Sequence, residues 1–223
     1  MLKRILWLIF AFSTLANSQY IYEANQPLYH LQNNANDFQG ELAYEIADDG
    51  ISPAIDFSFN FNFYGNTFDS ARIATNGCLH FGLTSTAYAD YCGDFTPDPL
   101  PRYKNTLYPF WTDLIRDNNS RIKSYGDSTK MIFGWYDLRE YNRSGTDNSF
   151  EIILWPNHTY EYRYGALDII NHDVLIGEQG PDTSKIYTYL YHDECNTGST
   201  NSSSCVNTNW NNTSFNTTLE NGG

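Results

Sequence analysis

The sequence predicts an all-β protein: an antiparallel β-sandwich of many short strands, with an extended N-terminal arm and a polar C-terminal tail. Three observations carry the expectation. Ile55, Phe57, Phe59, Phe61 and Phe63 alternate with Asp56, Ser58, Asn60 and Asn62, a period of two that gives a strand one apolar and one polar face. Turn signals recur at short intervals from Tyr64-Gly65-Asn66 to Pro156-Asn157. No helical stripe of useful length occurs. Composition agrees, since aromatic residues make up 17% of the 223 residues, with 18 Tyr against 2 Met. Tyr and Phe favour packed sheet faces.

Taken in order, residues 1–18 read as a secretory signal peptide. Lys3 and Arg4 precede an apolar run from Ile5 to Phe12, and Ala16-Asn17-Ser18 supplies small residues at the cleavage positions. The run is shorter than the ~20 residues needed to span hydrocarbon, so no membrane insertion is expected after cleavage. Residues 19–50 form an arm rich in Gln, Asn and Ala, with at most short strands at Tyr20–Tyr22 and Leu42–Ile46. Residues 51–192 hold the sandwich.

After Ile55–Phe63, strand-like segments follow at 71–75, 78–81, 107–114, 121–125, 131–136, 150–155, 160–164, 174–176 and 186–191. Between the second and third of these runs, Asn76-Gly77 predicts a two-residue hairpin turn with positive φ at both positions. Residues 193–223 read as a solvated polar tail.

Four cysteines behind a signal peptide imply two disulfides among Cys78, Cys92, Cys195 and Cys205. Three pairings are open. The local one, Cys78–Cys92 with Cys195–Cys205, is the simplest because each pair closes a short loop. The spacing lacks C-x-x-C or paired His, which argues against zinc. Asn-x-Ser/Thr acceptors for N-linked glycan begin at Asn118, Asn142, Asn157, Asn201, Asn211, Asn212 and Asn216.

Four blocks of the middle region, taken together, resemble the NIDO domain, the extracellular module of nidogen-like and mucin-like adhesion proteins. They are Phe57–Asn66 (FSFNFNFYGN), Ile73–Gly82 (IATNGCLHFG), Tyr108–Leu114 (YPFWTDL) and Ser149–Gly165 (SFEIILWPNHTYEYRYG), in the family's order. The motif residues are Asn76 and Gly77 of the hairpin, and Pro109, Phe110, Trp111 and Asp113 of the PFW-x-D segment. The resemblance covers about 55–180. It implies a β-sandwich-like fold, an extracellular setting and a role in adhesion, and it implies no catalytic residues.

The search for chemistry ends in an expected absence of catalysis. There is no G-x-S-x-G elbow and no H-E-x-x-H. The five histidines are dispersed, and His172-Asp173 and His192-Asp193 are neighbours that would point to opposite faces of a strand. Asp113 and Asp117 with Asn118 could offer calcium ligands, but no EF-type loop surrounds them, so neither a metal nor another cofactor is expected. The formal net charge of −13 argues against nucleic acid and anionic membranes as partners.

The expected function is that of a secreted, non-enzymatic structural or adhesion protein. Its partners would be other copies of itself or an extracellular protein or glycan. The arm at 19–40 is a candidate for strand addition to a neighbouring copy, against the alternative that it folds back on its own domain. A carbohydrate-binding module is the second reading, with Tyr88, Tyr91, Asp94, Tyr103, Trp135 and Tyr141 available for sugar contacts. A phage or bacterial surface appendage subunit is a third.

Overall fold

A computed structural model describes residues 19–24, 28–29, 41–46, 48–93, 97–145, 147–192 and 213–218. The signal segment, Cys195, Cys205, Asn201, Asn211, Asn212 and Asp94 lie outside the described residues. Two antiparallel sheets pack face to face as a sandwich.

The first sheet has eight strands. Its path begins at β1 (Gln19–Ala24) and ends at β2 (Leu42–Ala43). The second has six, beginning in sequence with β3 (Ile55–Phe63), β4 (Asn66–Ala74) and β5 (Cys78–Phe81). Next come β6 (Thr106–Trp111), in the second sheet, and β7 (Leu114–Ile115), then β8 (Arg121–Gly126), β9 (Met131–Glu140), β10 (Asn148–Leu154) and β11 (Tyr160–Tyr164). The chain then returns to the second sheet for β12 (Val174–Gln179) and β13 (Ile186–His192), and closes the first with β14 (Thr213–Thr218). The orders are β1-β14-β11-β10-β9-β8-β2, with β7 on β9, and β13-β12-β6-β5-β4-β3.

The alternation in β3 is realised as read. Ile55, Phe61 and Phe63 are buried, while Asp56, Ser58 and Asn60 are exposed. Phe61, Phe63 and Phe68 gather around Phe81 at ring distances of 5.4, 5.2 and 5.3 Å. Deeper in, Trp135 of β9 stacks on Phe150 of β10 at 4.8 Å, and Phe110 of β6 meets Phe150 at 5.4 Å.

Polar atoms on these buried aromatics need partners, and they find them across the sandwich. Trp135 Nε1 donates to the Ala74 carbonyl at 2.9 Å, Tyr162 OH to Gly177 at 2.8 Å and Tyr164 OH to Pro109 at 2.7 Å. Each bond runs from the first sheet to the backbone of the second, so it fixes how the layers sit on one another as well as satisfying a buried donor.

The hairpin turns differ from expectation in an instructive way. The two-residue turn with positive φ at both positions is Tyr64-Gly65, at 49° and 80°. At Asn76-Gly77 only Gly77 has positive φ, 82°. The loop there runs from Thr75 to Gly77 and closes with Gly77 N bonded to the Ala74 carbonyl at 3.2 Å. Three-residue hairpins of this kind need one left-handed residue at the end, and glycine supplies it. A Cβ on Gly77 would stand 2.0 Å from the Phe110 carbonyl oxygen. Glycine is thus also what lets β6 approach.

Both flanking segments contribute to the first sheet. β1 pairs along its whole length with β14 of the same chain, and β14 pairs with β11. The tail, read from sequence as solvated, therefore contains a strand; Thr-Ser-Phe-Asn-Thr-Thr is rich in residues that favour one. Leu28 and Tyr29 dock on the outer face of this sheet. Leu28 is buried with Ile132, Tyr136 and Ile153. Tyr29 N donates to Glu151 Oε2 at 2.8 Å, and its ring lies under the Arg163 guanidinium at 4.4 Å. At these points the arm folds back on its own domain.

Candidate functional site

The family-motif residues converge on one end of the sandwich. Asn76, freed from turn geometry, uses its side chain twice: Oδ1 accepts from Leu114 N at 2.9 Å and Nδ2 donates to Asp49 Oδ1 at 2.8 Å. This draws the segment before β3 against the PFW-x-D strand. Carboxylate oxygens of Asp48, Asp49 and Asp113 then lie within 4.8 Å of one another. Asp113 is nearly buried, at 4% exposure.

Across from Asp113 stands His172. Its Nε2 lies 3.4 Å from Asp113 Oδ2, and its Nδ1 lies 2.8 Å from Glu140 Oε1. Glu140 has no exposed surface and also accepts backbone bonds from Ile170, Asn171 and His172. Burial pushes the Asp113 carboxyl up to about 7, with the His172 charge opposing and Asp49, Asp48 and Glu140 reinforcing. Burial disfavours the His172 cation, yet Glu140 and Asp113 outweigh it and raise the imidazole. Glu140 is held below its usual range: burial opposes ionisation, but His172 and the backbone donors prevail. The group is a structural knot that ties strand β9 and loop 170–172 to the motif strand.

Asp117, weighed from sequence with Asp113 and Asn118 as a calcium ligand, is not among the carboxylates gathered at Asp113. Asp117 caps its own turn, accepting from Asn119 N and Ser120 N, and pairs with Arg139 at 2.8 Å.

Beside the motif strand, a cleft of about 780 Å³ opens between two loops. Its floor is His80 and Phe81 of β5. One wall runs from Gly82 through a short 3-10 turn, Tyr88–Asp90, and the other is 101–105. The first wall is stapled by the Cys78–Cys92 disulfide, one of the predicted local pairs. Arg72 Nη1 adds a bond to the Ser85 carbonyl at 3.2 Å, and Ser85 Oγ donates to Asp90.

The second wall is held by Tyr108. Its hydroxyl donates to the Tyr103 carbonyl at 3.0 Å and accepts from Tyr103 N at 2.9 Å. Asn105 N donates to the Gly180 carbonyl at 3.0 Å, and the Asn105 carbonyl accepts from Phe81 N at 2.9 Å. His80 in the floor is fully used: Nδ1 lies 2.9 Å from Thr106 Oγ1, and Nε2 accepts from Cys92 N at 3.4 Å. Burial lowers its pKa to about 3, so it is neutral and fixed.

Of the residues read as sugar-contact candidates, Tyr88 and Tyr103 both line this cleft, Tyr103 half-buried with its ring against His80 and Trp111 at 5.7 and 5.6 Å. Tyr91 is buried beside them, Trp135 is core, and Tyr141 is half-buried in the turn after β9. Arg102 and Lys104 also line the cleft, and sequence reading passed over them because only the folded loop brings them opposite Tyr88. Among the sequons, Asn118, Asn142 and Asn157 stand exposed on turns, and Asn216 falls in β14. Asn157 Oδ1 accepts from Thr159 Oγ1 at 2.8 Å within its own sequon. Phe110 and Trp111 are fully buried anchors, and Pro109 contributes the carbonyl bonded by Tyr164.

Two antiparallel sheets packed as a sandwich, with the motif residues joined by structural bonds and a disulfide-stapled cleft beside them, define an all-β sandwich domain. The family comparison agrees: the model described as NIDO related matches residues 19–219, and the chain belongs to that family. No curated protein and no solved structure gave a significant match.

Proposed function

We propose that the chain is a secreted, non-enzymatic structural and adhesion module that associates with other copies of itself through sheet edges. The observation that carries this is the position of β1. It is the terminal strand of the eight-stranded sheet, held by β14 on one side, with no described strand on the other. Backbone groups on such an edge pair readily with a further strand. Because β1 and Leu28–Tyr29 engage their own domain, we locate strand addition at the outer edge of β1 and not in a free arm.

Three features support the wider reading. The NIDO-related match and the Cys78–Cys92 disulfide fit an oxidising, extracellular setting. Buried ionisable side chains are committed to structural bonds: Glu140 to loop 170–172, Glu151 to Tyr29 and Tyr136, and His80 to Thr106 and Cys92. No helix of the described residues is long and apolar enough to cross a membrane.

Negative-stain microscopy and light scattering of the chain from Gln19 onward test the assembly. Filaments or ordered oligomers that disappear when residues 19–24 are deleted support it. Uniform monomers of the undeleted chain at high concentration overturn it.

A further inference from the structure

The cleft between loops 82–90 and 101–105 is open, and no other described segment lines it beyond its floor and two walls. Both walls are fixed before any ligand arrives: one by the disulfide and the Arg72–Ser85 bond, the other by the Tyr108 hydroxyl and the Asn105 backbone pairings. A preorganised site avoids the ordering cost that weakens binding by mobile loops. Its volume of about 780 Å³ falls in the roughly 300–1,000 Å³ range of small-ligand sites.

The lining states the ligand class. Tyr88, 46% exposed, and Tyr103 offer aromatic faces from opposite walls. Tyr presents large contact area at low entropic cost, and its ring face suits the C–H edges of a pyranose. The lining also carries the hydroxyl and amide side chains of Thr84, Ser85 and Asn105, which match a polyol and not an aliphatic chain.

Charge narrows the class further. In a chain of formal charge −13, this lining carries Arg102 and Lys104 against one carboxylate, Asp90, which already accepts from Ser85. Arg102 is held in place over the Trp111 ring at 5.8 Å, with Asp98 3.0 Å from its guanidinium. A carboxylate entering the cleft would meet Lys104 and would share Arg102 with Asp98, and guanidinium recognises carboxylate with directional bonds.

We propose that this cleft binds a carboxylated saccharide, a short glycan bearing a uronate- or sialate-type sugar. The carboxylate sits at Lys104 and Arg102, and the pyranose rings lie against Tyr88 and Tyr103.

The test is calorimetric titration of the full chain from Gln19 onward with 3′-sialyllactose and with trigalacturonate, against lactose and α-1,4-linked galactotriose as their neutral counterparts. Saturable binding of an acidic saccharide, about tenfold tighter than its neutral counterpart, is expected. Lys104→Gln and Tyr88→Ala, both at exposed positions, should each weaken it about tenfold with the melting temperature unchanged. Failure of both acidic probes to saturate, equal affinity for the neutral sugars, or full affinity in both variants overturns the proposal. The assembly readout is separate, since neither substitution touches β1; loss of sugar binding with filaments intact, or the reverse, tells the two readings apart.

Discussion

Glu140 holds His172 twice: Oε1 accepts from the His172 backbone N at 3.0 Å and from its Nδ1 at 2.8 Å. A fully buried carboxylate accepts only, so the imidazole carries its proton at Nδ1 and turns Nε2 toward Asp113. The three groups share charge across the junction between β9, loop 170–172 and the motif strand, and they give the protein a defined response to pH.

That response has two limbs. The raised pKa values of His172 and Asp113 mean that the folded state holds their protons more tightly than the unfolded chain. The stabilisation from Asp113 is lost as pH rises from about 4 to about 7, and that from His172 is lost only above about 6.5. His80 and Glu140 act the other way. With its pKa lowered to about 3, His80 stays neutral while the unfolded chain takes up a proton below roughly 6.5. Glu140, also lowered, loses its contribution further down in acid. Between about pH 4.5 and 6.5 the Asp113 and His80 contributions oppose each other, so melting temperature is expected to be roughly level there, to fall above about 6.5 as His172 and Asp113 lose their protons, and to fall in acid below about 4.5. His172→Gln should flatten the alkaline limb and leave the acid limb in place; calorimetric scans across pH check this, and an unchanged alkaline limb would refute it.

Gly77→Ala should be severely destabilising. The new Cβ would meet backbone, the Phe110 carbonyl, at 2.0 Å, and φ is 82°. Strain and displacement of β6 together are expected to cost about 3 kcal/mol or more. Gly145→Ala is the matched control: φ is 79°, but nothing lies within 4 Å of the new Cβ. It should cost only about 1 kcal/mol, that of the left-handed conformation alone. Urea unfolding of both variants gives the comparison, and equal losses would mean that the close approach is not what requires glycine.

Replacing Cys78 and Cys92 together by Ser removes a cross-link over a sequence separation of 14. Chain entropy predicts a loss of about 3 kcal/mol. The sandwich core does not depend on the bridge, so the protein should remain folded, while exchange of amides in 82–92 with deuterium should rise more than in β9 and β10. Uniform loss of protection would instead make the bridge a support of the whole core.

Leu28→Ala should destabilise the isolated chain by about 2–3 kcal/mol, because the side chain is buried among Ile132, Tyr136 and Ile153. Chemical denaturation of a dilute monomer checks it. A change within a few tenths of a kcal/mol would mean that this part of the arm contributes nothing to its own domain.

Residue-level reading reached far into this fold. The period of two in β3, the spacing of turns and the density of Tyr and Phe determined an all-β sandwich, because side-chain alternation is a local property of an extended backbone. Most central strands fall within a few residues of their expected bounds for the same reason. Of the three pairings the sequence left open, the structure has Cys78 with Cys92, part of the simplest one, which closes a short loop.

Tertiary structure decided what depends on meetings between distant segments. It replaced the two-residue turn expected at Asn76-Gly77 by a three-residue one in which only Gly77 has positive φ, and the Asn76 side chain bonds Asp49 and Leu114. It brought His172 between Glu140 and Asp113, 32 and 59 positions apart along the numbering, and set Lys104 and Arg102 opposite Tyr88. It also joined the two ends of the chain as β1 and β14. Periodicity records which face of a strand is apolar; it carries no information on which strand lies alongside, and the cleft and the charged knot both arise from that adjacency.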